Sequence, residues 1–204
     1  PSTTIAKKKS KGIKKSKKRI TVAVAANAAG TEKLQLFFIG HARKPRCFRM
    51  CTAEKLNFYY KNNKKAWMTL LLFGTWIEEL DARMRNEERR VLLILDNDSS
   101  HKVQNLSLSN VEVLMLPPNL TSELQPMDAG IIAAFKRKYK AKLIRHAVQR
   151  LDGCLNGGDS TLAKLRKSPY TVDQLTAMRW CTDAWNEVST STIVNCWNHT
   201  GIVP

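Results

Sequence analysis

Hydrophobic residues follow two rhythms along this 204-residue chain, and where one gives way to the other marks its elements. Ile20-Thr21-Val22-Ala23-Val24-Ala25-Ala26-Asn27 and Leu34-Gln35-Leu36-Phe37-Phe38-Ile39-Gly40 flank Ala29-Gly30-Thr31, which predicts two strands joined by a turn. Between Ala66 and Arg85 the period lengthens. Trp67, Leu71, Leu72, Trp76, Ile77 and Leu80 recur at helical spacing with Glu78, Glu79, Asp81 and Arg83 on the other side, so an amphipathic helix packed on a sheet is expected. Val91–Leu95 is wholly apolar, as a strand covered on both faces should be, and Val111–Leu116 is a second strand stopped by Pro117-Pro118.

Helical spacing returns at Ile131, Ile132, Phe135, Tyr139, Leu143 and Ala147, with Lys136, Arg137, Lys138, Lys140, Lys142, Arg145 and Arg150 covering the rest of that helix. Asp152–Ser168 carries Gly153, Gly157 and Gly158 without periodicity and is read as a linker. Val172, Leu175, Met178, Trp180, Cys181 and Trp185 suggest a further helix. Ser189 or Thr190 could cap another, with Ile193, Val194 and Trp197 inside it and Gly201 at its end. The tail helices are expected to be packing elements. Residues 1–19 then form a basic segment, 20–151 a core, 152–170 a linker and 171–204 a helical tail.

Composition narrows the partners. An apolar share of 43% is enough to build a core, and a formal net charge of +17 calls for a polyanion, because basic surfaces gain from displaced counterions. No apolar run approaches the ~20 residues of a bilayer span, so the expected partner is nucleic acid and not a membrane. The basic residues from Lys7 to Arg19 repel one another and read equally as a phosphate-binding or nuclear-targeting arm and as a solvated loop. Five scattered cysteines do not look like a secreted disulfide framework, and no second pair completes Cys47 and Cys51 as a zinc site.

The candidate chemistry lies in two acids. Asp96 follows the strand Val91–Leu95 directly, and Asp128 opens the basic helical pattern. Phosphodiester chemistry uses divalent ions held by carboxylates. A strand-end Asp is a rigid ligand, while a helix-start Asp is favoured by the helix dipole. The plainer alternative is a turn residue and a helix cap. Asn97, Asp98 and His101 lie close to Asp96 in sequence, where they could orient a water or a phosphate, and Asp98 is also an ordinary turn residue. No aspartate precedes Asp81, so a third acid on an earlier strand is absent from this chain.

Four ordered strings resemble the pogo/Tigger/Jerky group of transposases, within the mariner-type DDE endonuclease superfamily. They are Lys64-Lys65-Ala66-Trp67-Met68-Thr69, Leu95-Asp96-Asn97-Asp98-Ser99-Ser100-His101, Leu116-Pro117-Pro118-Asn119-Leu120-Thr121-Ser122 and Leu124-Gln125-Pro126-Met127-Asp128-Ala129-Gly130. The resemblance implies an α/β fold: an RNase H-like mixed sheet flanked by helices, here with its first strand truncated and a C-terminal helical extension. It also implies Asp96 and Asp128 as the second and third catalytic acids, Mg²⁺ or Mn²⁺ weakly bound in this chain, DNA as partner, the nucleus as compartment, and a homo-oligomer in a synaptic complex. Lys136, Arg137, Lys138, Lys140, Lys142 and Arg145 are the expected DNA contacts.

A domesticated DNA- or chromatin-binding descendant without catalysis is the competing reading, and a degraded transposon remnant a third. With its first acid missing, this polypeptide is expected to cleave DNA poorly or not at all. A metal-dependent nicking assay on supercoiled plasmid checks this; robust nicking abolished by Asp96→Ala would contradict it.

Overall fold

The computed structural model describes residues 19–101, 106–118, 120–155 and 169–202; most of the basic N-terminal segment and of the linker lie outside these. Strands β1 (Thr21–Ala23), β2 (Phe37–Gly40) and β3 (Tyr59–Asn62) are followed by helix α1 (Leu70–Asn86), then by β4 (Val91–Leu95) and β5 (Val111–Met115). After these come the short α2 (Thr121–Leu124), a π-helical turn at Met127–Ile131, the long α3 (Ile132–Leu155), α4 (Gln174–Asn186) and α5 (Thr190–Thr200). The fold is mixed α/β, as the patterning indicates, but its strands form two small sheets. β1 pairs antiparallel with β2 and β2 parallel with β3, while β4 and β5 make a separate parallel pair. Among the described residues no strand bridges β1 and β4.

Several differences from the sequence reading have physical causes. β3 carries no alternating signal, since Tyr59-Tyr60-Lys61-Asn62 is mostly polar; it forms because β2, fully buried, has a second edge to fill. Helix α1 begins only at Leu70, where the Thr69 hydroxyl accepts from Leu72 N–H at 3.3 Å. Its buried stripe is therefore Phe73, Ile77, Leu80, Asp81 and Met84, leaving Leu71 79% exposed and Trp67 outside the helix. α3 runs through Asp152 and Gly153 to Leu155, past the point where glycine content suggests a linker. Ser189 rather than Thr190 caps α5 through Thr192 N–H, and Gly201 ends it in the left-handed region at φ 64°.

Two apolar cores result. One gathers Phe38, Phe58 and Ile131 with Met178, Trp185 and Ile193, so the tail helices pack on the three-stranded sheet and α3. The other places Phe73, Ile77 and Met84 of α1 against Val91, Leu93, Val111 and Val113 of the parallel pair. The β1–β2 turn reaches into the first core. Lys33 Nζ donates to the carbonyls of Trp185, Asn186 and Val188 at 3.0, 2.8 and 2.9 Å, closing the C-terminus of α4. Gly30, at φ 65°, lies so near Thr190 that a Cβ there would meet its carbonyl oxygen at 2.9 Å.

The second core is fastened by Asp81, which sits on the buried stripe and not on the polar side of α1, contrary to the sequence reading. Its Oδ1 accepts from the backbone N–H groups of Ser109, Asn110 and Val111 at 2.9, 2.7 and 2.8 Å, and Oδ2 from Arg85 at 2.9 Å. Donation from Asn110 first, then from Val111, Ser109 and Arg85, holds this carboxyl well below the usual carboxylate range against the opposing effect of burial.

A depressed folded-state pKa contributes stability above the unfolded value, about 3.9, and that contribution is lost as pH falls through the folded value. Asp81→Asn is therefore expected to lower the urea midpoint at pH 7 and to flatten the loss of stability between about pH 4 and pH 2, read by circular dichroism. Ile77→Ala, which empties a fully buried position beside it, should cost about 2–5 kcal/mol at all pH values.

Candidate active-site acids and nucleic-acid interface

β4 and β5 run parallel and in register, with Leu95 opposite Met115, and Asp96 follows the C-terminal end of β4 directly. Leu116 N–H donates to Leu95 O at 2.8 Å, so pairing continues to the last residue before Asp96 and fixes where that side chain leaves the sheet. Asp96 is partly exposed, and its Oδ1 lies 2.5 Å from His101 Nδ1. The imidazole is held in turn: its ring stacks obliquely on Phe73 of α1 with centroids 4.8 Å apart.

The intervening 3₁₀ turn, Ser99–His101, is shaped by Asp98, whose Oδ1 accepts from Ser100 N–H at 2.8 Å and from Ser100 Oγ at 2.6 Å. Those two bonds, the hydroxyl first, keep the Asp98 carboxyl below its ordinary pKa. Asp98 thus acts as a turn lock and His101 as a brace on Asp96. Asn97 is exposed beside them.

Asp128 reaches the surface from a different support. It lies in the first turn of the π-helical stretch Met127–Ile131, with its N–H donating to Gln125 O at 3.0 Å. Gly130 abuts α5 closely enough that a Cβ would meet Cys196 Sγ at 2.9 Å, and Ile131 is fully buried. The helical path breaks at Gly130, and this kink ahead of α3 leaves Asp128 turned outward while Ile131 anchors the turn. No hydrogen bond or ion pair joins Asp128 to the Asp96–His101 group.

Hard divalent ions take several oxygen ligands, and a reacting pair of them shares carboxylates between the two positions. Among the described residues no three His, Cys, Asp or Glu side chains gather to hold a metal ion. Asp96 and Asp128 each have the oxygen-donor chemistry that a hard divalent ion takes.

The basic helix α3 divides into two faces. Lys142 Nζ meets Glu187 at 2.7 Å and Asp183 at 3.7 Å, and Lys138 lies 4.0 Å from Glu187, so these two ammonium groups are turned onto α4. The Lys142 bond, first among its causes, lowers the Glu187 pKa. Lys136, Arg137 and Lys140 point the other way and are exposed, lining an open groove floored by Ala133, Ala141 and Ile144. None of the three has a carboxylate partner among the described residues. Arg145 is exposed too and adds to the positive field around Glu187. Sequence spacing found all six cations, yet only packing against α4 separates the solvent-facing ones from those that hold the tail. No helix among the described residues is long and apolar enough to cross a membrane.

A family profile described as DDE superfamily endonuclease matches residues 17–197, and the chain belongs to that family. It is 33% identical to ARS-binding protein 1 of Schizosaccharomyces pombe over 95% of this chain and 36% of that protein. It is 32% identical to CENP-B homolog protein 2 of the same yeast over 99% of this chain and 39% of that protein. Mouse Tigger transposable element-derived protein 4 is also 32% identical, over 91% of this chain and 33% of its own length. The chain thus spans well under half of these curated relatives. No solved structure matches it.

Asp98→Ala removes the acceptor that shapes the 99–101 turn. It is expected to speed exchange of the Ser100 amide hydrogen by about tenfold or more while leaving exchange in β5 unchanged, as measured by NMR.

Proposed function

We propose that this chain is the DNA-engaging part of a transposase-derived endonuclease domain with an RNase H-like architecture, gripping the phosphate backbone through α3 and carrying Asp96 and Asp128 as two of its acids. The observation that carries this reading is the outward face of α3. Lys136, Arg137 and Lys140 stand clear of every described carboxylate, whereas Lys138 and Lys142 on the same helix are ion-paired to α4. Small side chains at Ala133 and Ala141 between the cations leave room for a phosphate ridge to approach the helix. Such contacts position DNA without reading its bases, so affinity is steeply salt-dependent and weakly sequence-specific.

In the RNase H-like reading, a strand hydrogen-bonded between β1 and β4 would join the two small sheets into one. Leu92, 54% exposed, shows that one face of β4 is not covered here, unlike the two-faced burial its composition suggests. Asp96, braced by His101, is the acid best held for chemistry; Asp128 is presented by the π-helical turn at the mouth of α3. Asp96 and Asp128 are the residues that would hold Mg²⁺ or Mn²⁺, which would supply activation of the attacking oxygen and stabilisation of the leaving one.

The second reading is DNA binding without cleavage. It agrees with the name of the relative ARS-binding protein 1, which records binding and not cleavage. Both readings place the protein in the nucleus, on DNA, and leave pairing of two copies across DNA ends as part of the cleavage reading alone.

Fluorescence anisotropy with a labelled duplex across a salt series tests the shared core of both. Replacing Lys136, Arg137 and Lys140 together by Gln is expected to reduce the log–log salt slope by about 2.7, with little preference among duplex sequences. Lys142→Met should instead loosen α3 from α4 and lower the melting temperature. A slope untouched by the triple replacement would remove α3 from the interface.

A further inference from the structure

The turn that precedes α1 displays an aromatic ring that the core does not use. Trp67 is 52% exposed, and beside it Leu70 and Leu71 are 53% and 79% exposed, an unusual concentration of large apolar surface on a strongly basic chain. The exposure is built in. Asn63 Oδ1 accepts from Lys65 N–H at 3.1 Å and Trp67 N–H at 3.2 Å, while Asn63 Nδ2 donates to Trp67 O at 2.6 Å. Ala66 is wholly buried in the left-handed region at φ 53°, with its carbonyl taken by Thr21 Oγ1 at 2.7 Å, and the Lys64 carbonyl lies 2.9 Å from His41 Nδ1. Anchored at Ala66 and Asn63, the backbone sends Met68 into the core of α1 and Trp67 outward.

The surroundings of the ring are cationic. Lys65 Nζ sits 5.7 Å from the Trp67 ring centroid, and Lys64 and Lys65 are both exposed with no carboxylate partner among the described residues. With Lys65 over one face of the ring, the other face is what a nucleobase would stack on, and Lys64 and Lys65 are placed to neutralise its phosphate. The location suits that ligand. The turn leads directly into α1, whose Phe73 supports His101, which in turn contacts Asp96.

We infer that Trp67, with Lys64 and Lys65, is a stacking platform for an unpaired base of DNA, set just before the helix whose Phe73 contacts the His101 brace of Asp96. This rests on the DNA-binding reading above, but it assigns a different surface from the α3 face, one that senses single-stranded character where α3 senses only charge. Leu70 and Leu71 extend the apolar floor under a neighbouring base or sugar.

The test compares the 204-residue chain with its Trp67→Ala and Trp67→Phe variants on two labelled probes, a blunt duplex and the same duplex with a single-stranded 3′ tail, at one salt concentration. Trp67→Ala is expected to weaken binding of the tailed probe about tenfold and of the blunt probe less than about twofold, with Trp67→Phe retaining most of the tailed affinity. Circular dichroism melting confirms that the exposed substitution leaves the fold intact. Equal affinities of wild type and Trp67→Ala for the tailed probe, or an equal loss on both probes, overturn the platform while leaving α3 binding in place. A shift from dimer to monomer in Trp67→Ala with unchanged DNA affinity overturns it as well and gives the patch to a second copy of the chain. No salt-dependent binding by the unsubstituted chain sinks both this inference and the reading beneath it.

Discussion

A single buried carboxylate, Asp81, decides whether the Asp96 side of this molecule exists. β4 and β5 are only a two-stranded pair, and such a pair is marginal alone in water, so it needs a partner to hold both its register and its face. α1 supplies the face through Phe73, Ile77 and Met84. Asp81 supplies the register, gathering the N–H groups of Ser109, Asn110 and Val111 just where the chain turns into β5. Without that acceptor the buried Val111 N–H would be left unsatisfied, while those of Ser109 and Asn110 would have to turn to water. The position at which Asp96 emerges is thus set from the opposite end of its sheet.

Asp128 depends on another set of constraints. The three-stranded sheet, α3 and the tail helices form a core of their own, closed by Lys33 on the end of α4 and by the fit of Gly30 against Thr190. The two cores are stitched at the surface by Glu32, which meets Arg83 at 2.6 Å and Arg89 at 2.8 Å, with Glu87 bridging the same two guanidinium groups. Partly exposed pairs of this kind contribute little individually. The spacing between the two candidate acids is consequently a property of how two packing units meet, and a change in that seam would move one acid relative to the other without disturbing either support.

Charge is organised with equal economy. The same helix that faces solvent with Lys136, Arg137 and Lys140 uses Lys138 and Lys142 to bind the acids of α4, so a net positive chain still assembles its own tail. Around Asn63 the backbone does the corresponding work for Trp67, holding outward a ring that hydrophobicity alone would bury.

The amino-acid order alone determines the α/β character, the bounds of β4 and β5 to within a residue, the end of α5 at Gly201 with its N-cap narrowed to Ser189 or Thr190, and the family, because each rests on local periodicity, local cap chemistry or a contiguous motif. It also marks Asp96, Asp128 and the cations of α3 as chemistry-bearing. Tertiary structure decides the rest. Whether the strands form one sheet or two depends on pairing between distant segments; that Asp81 is buried and Trp67 is not depends on where α1 starts, which Thr69 and the Asn63 turn set together. Which lysines of α3 face outward depends on α4, more than thirty residues further on. Periodicity reports that a helix has two sides, and only the partner that packs against it settles which side is which.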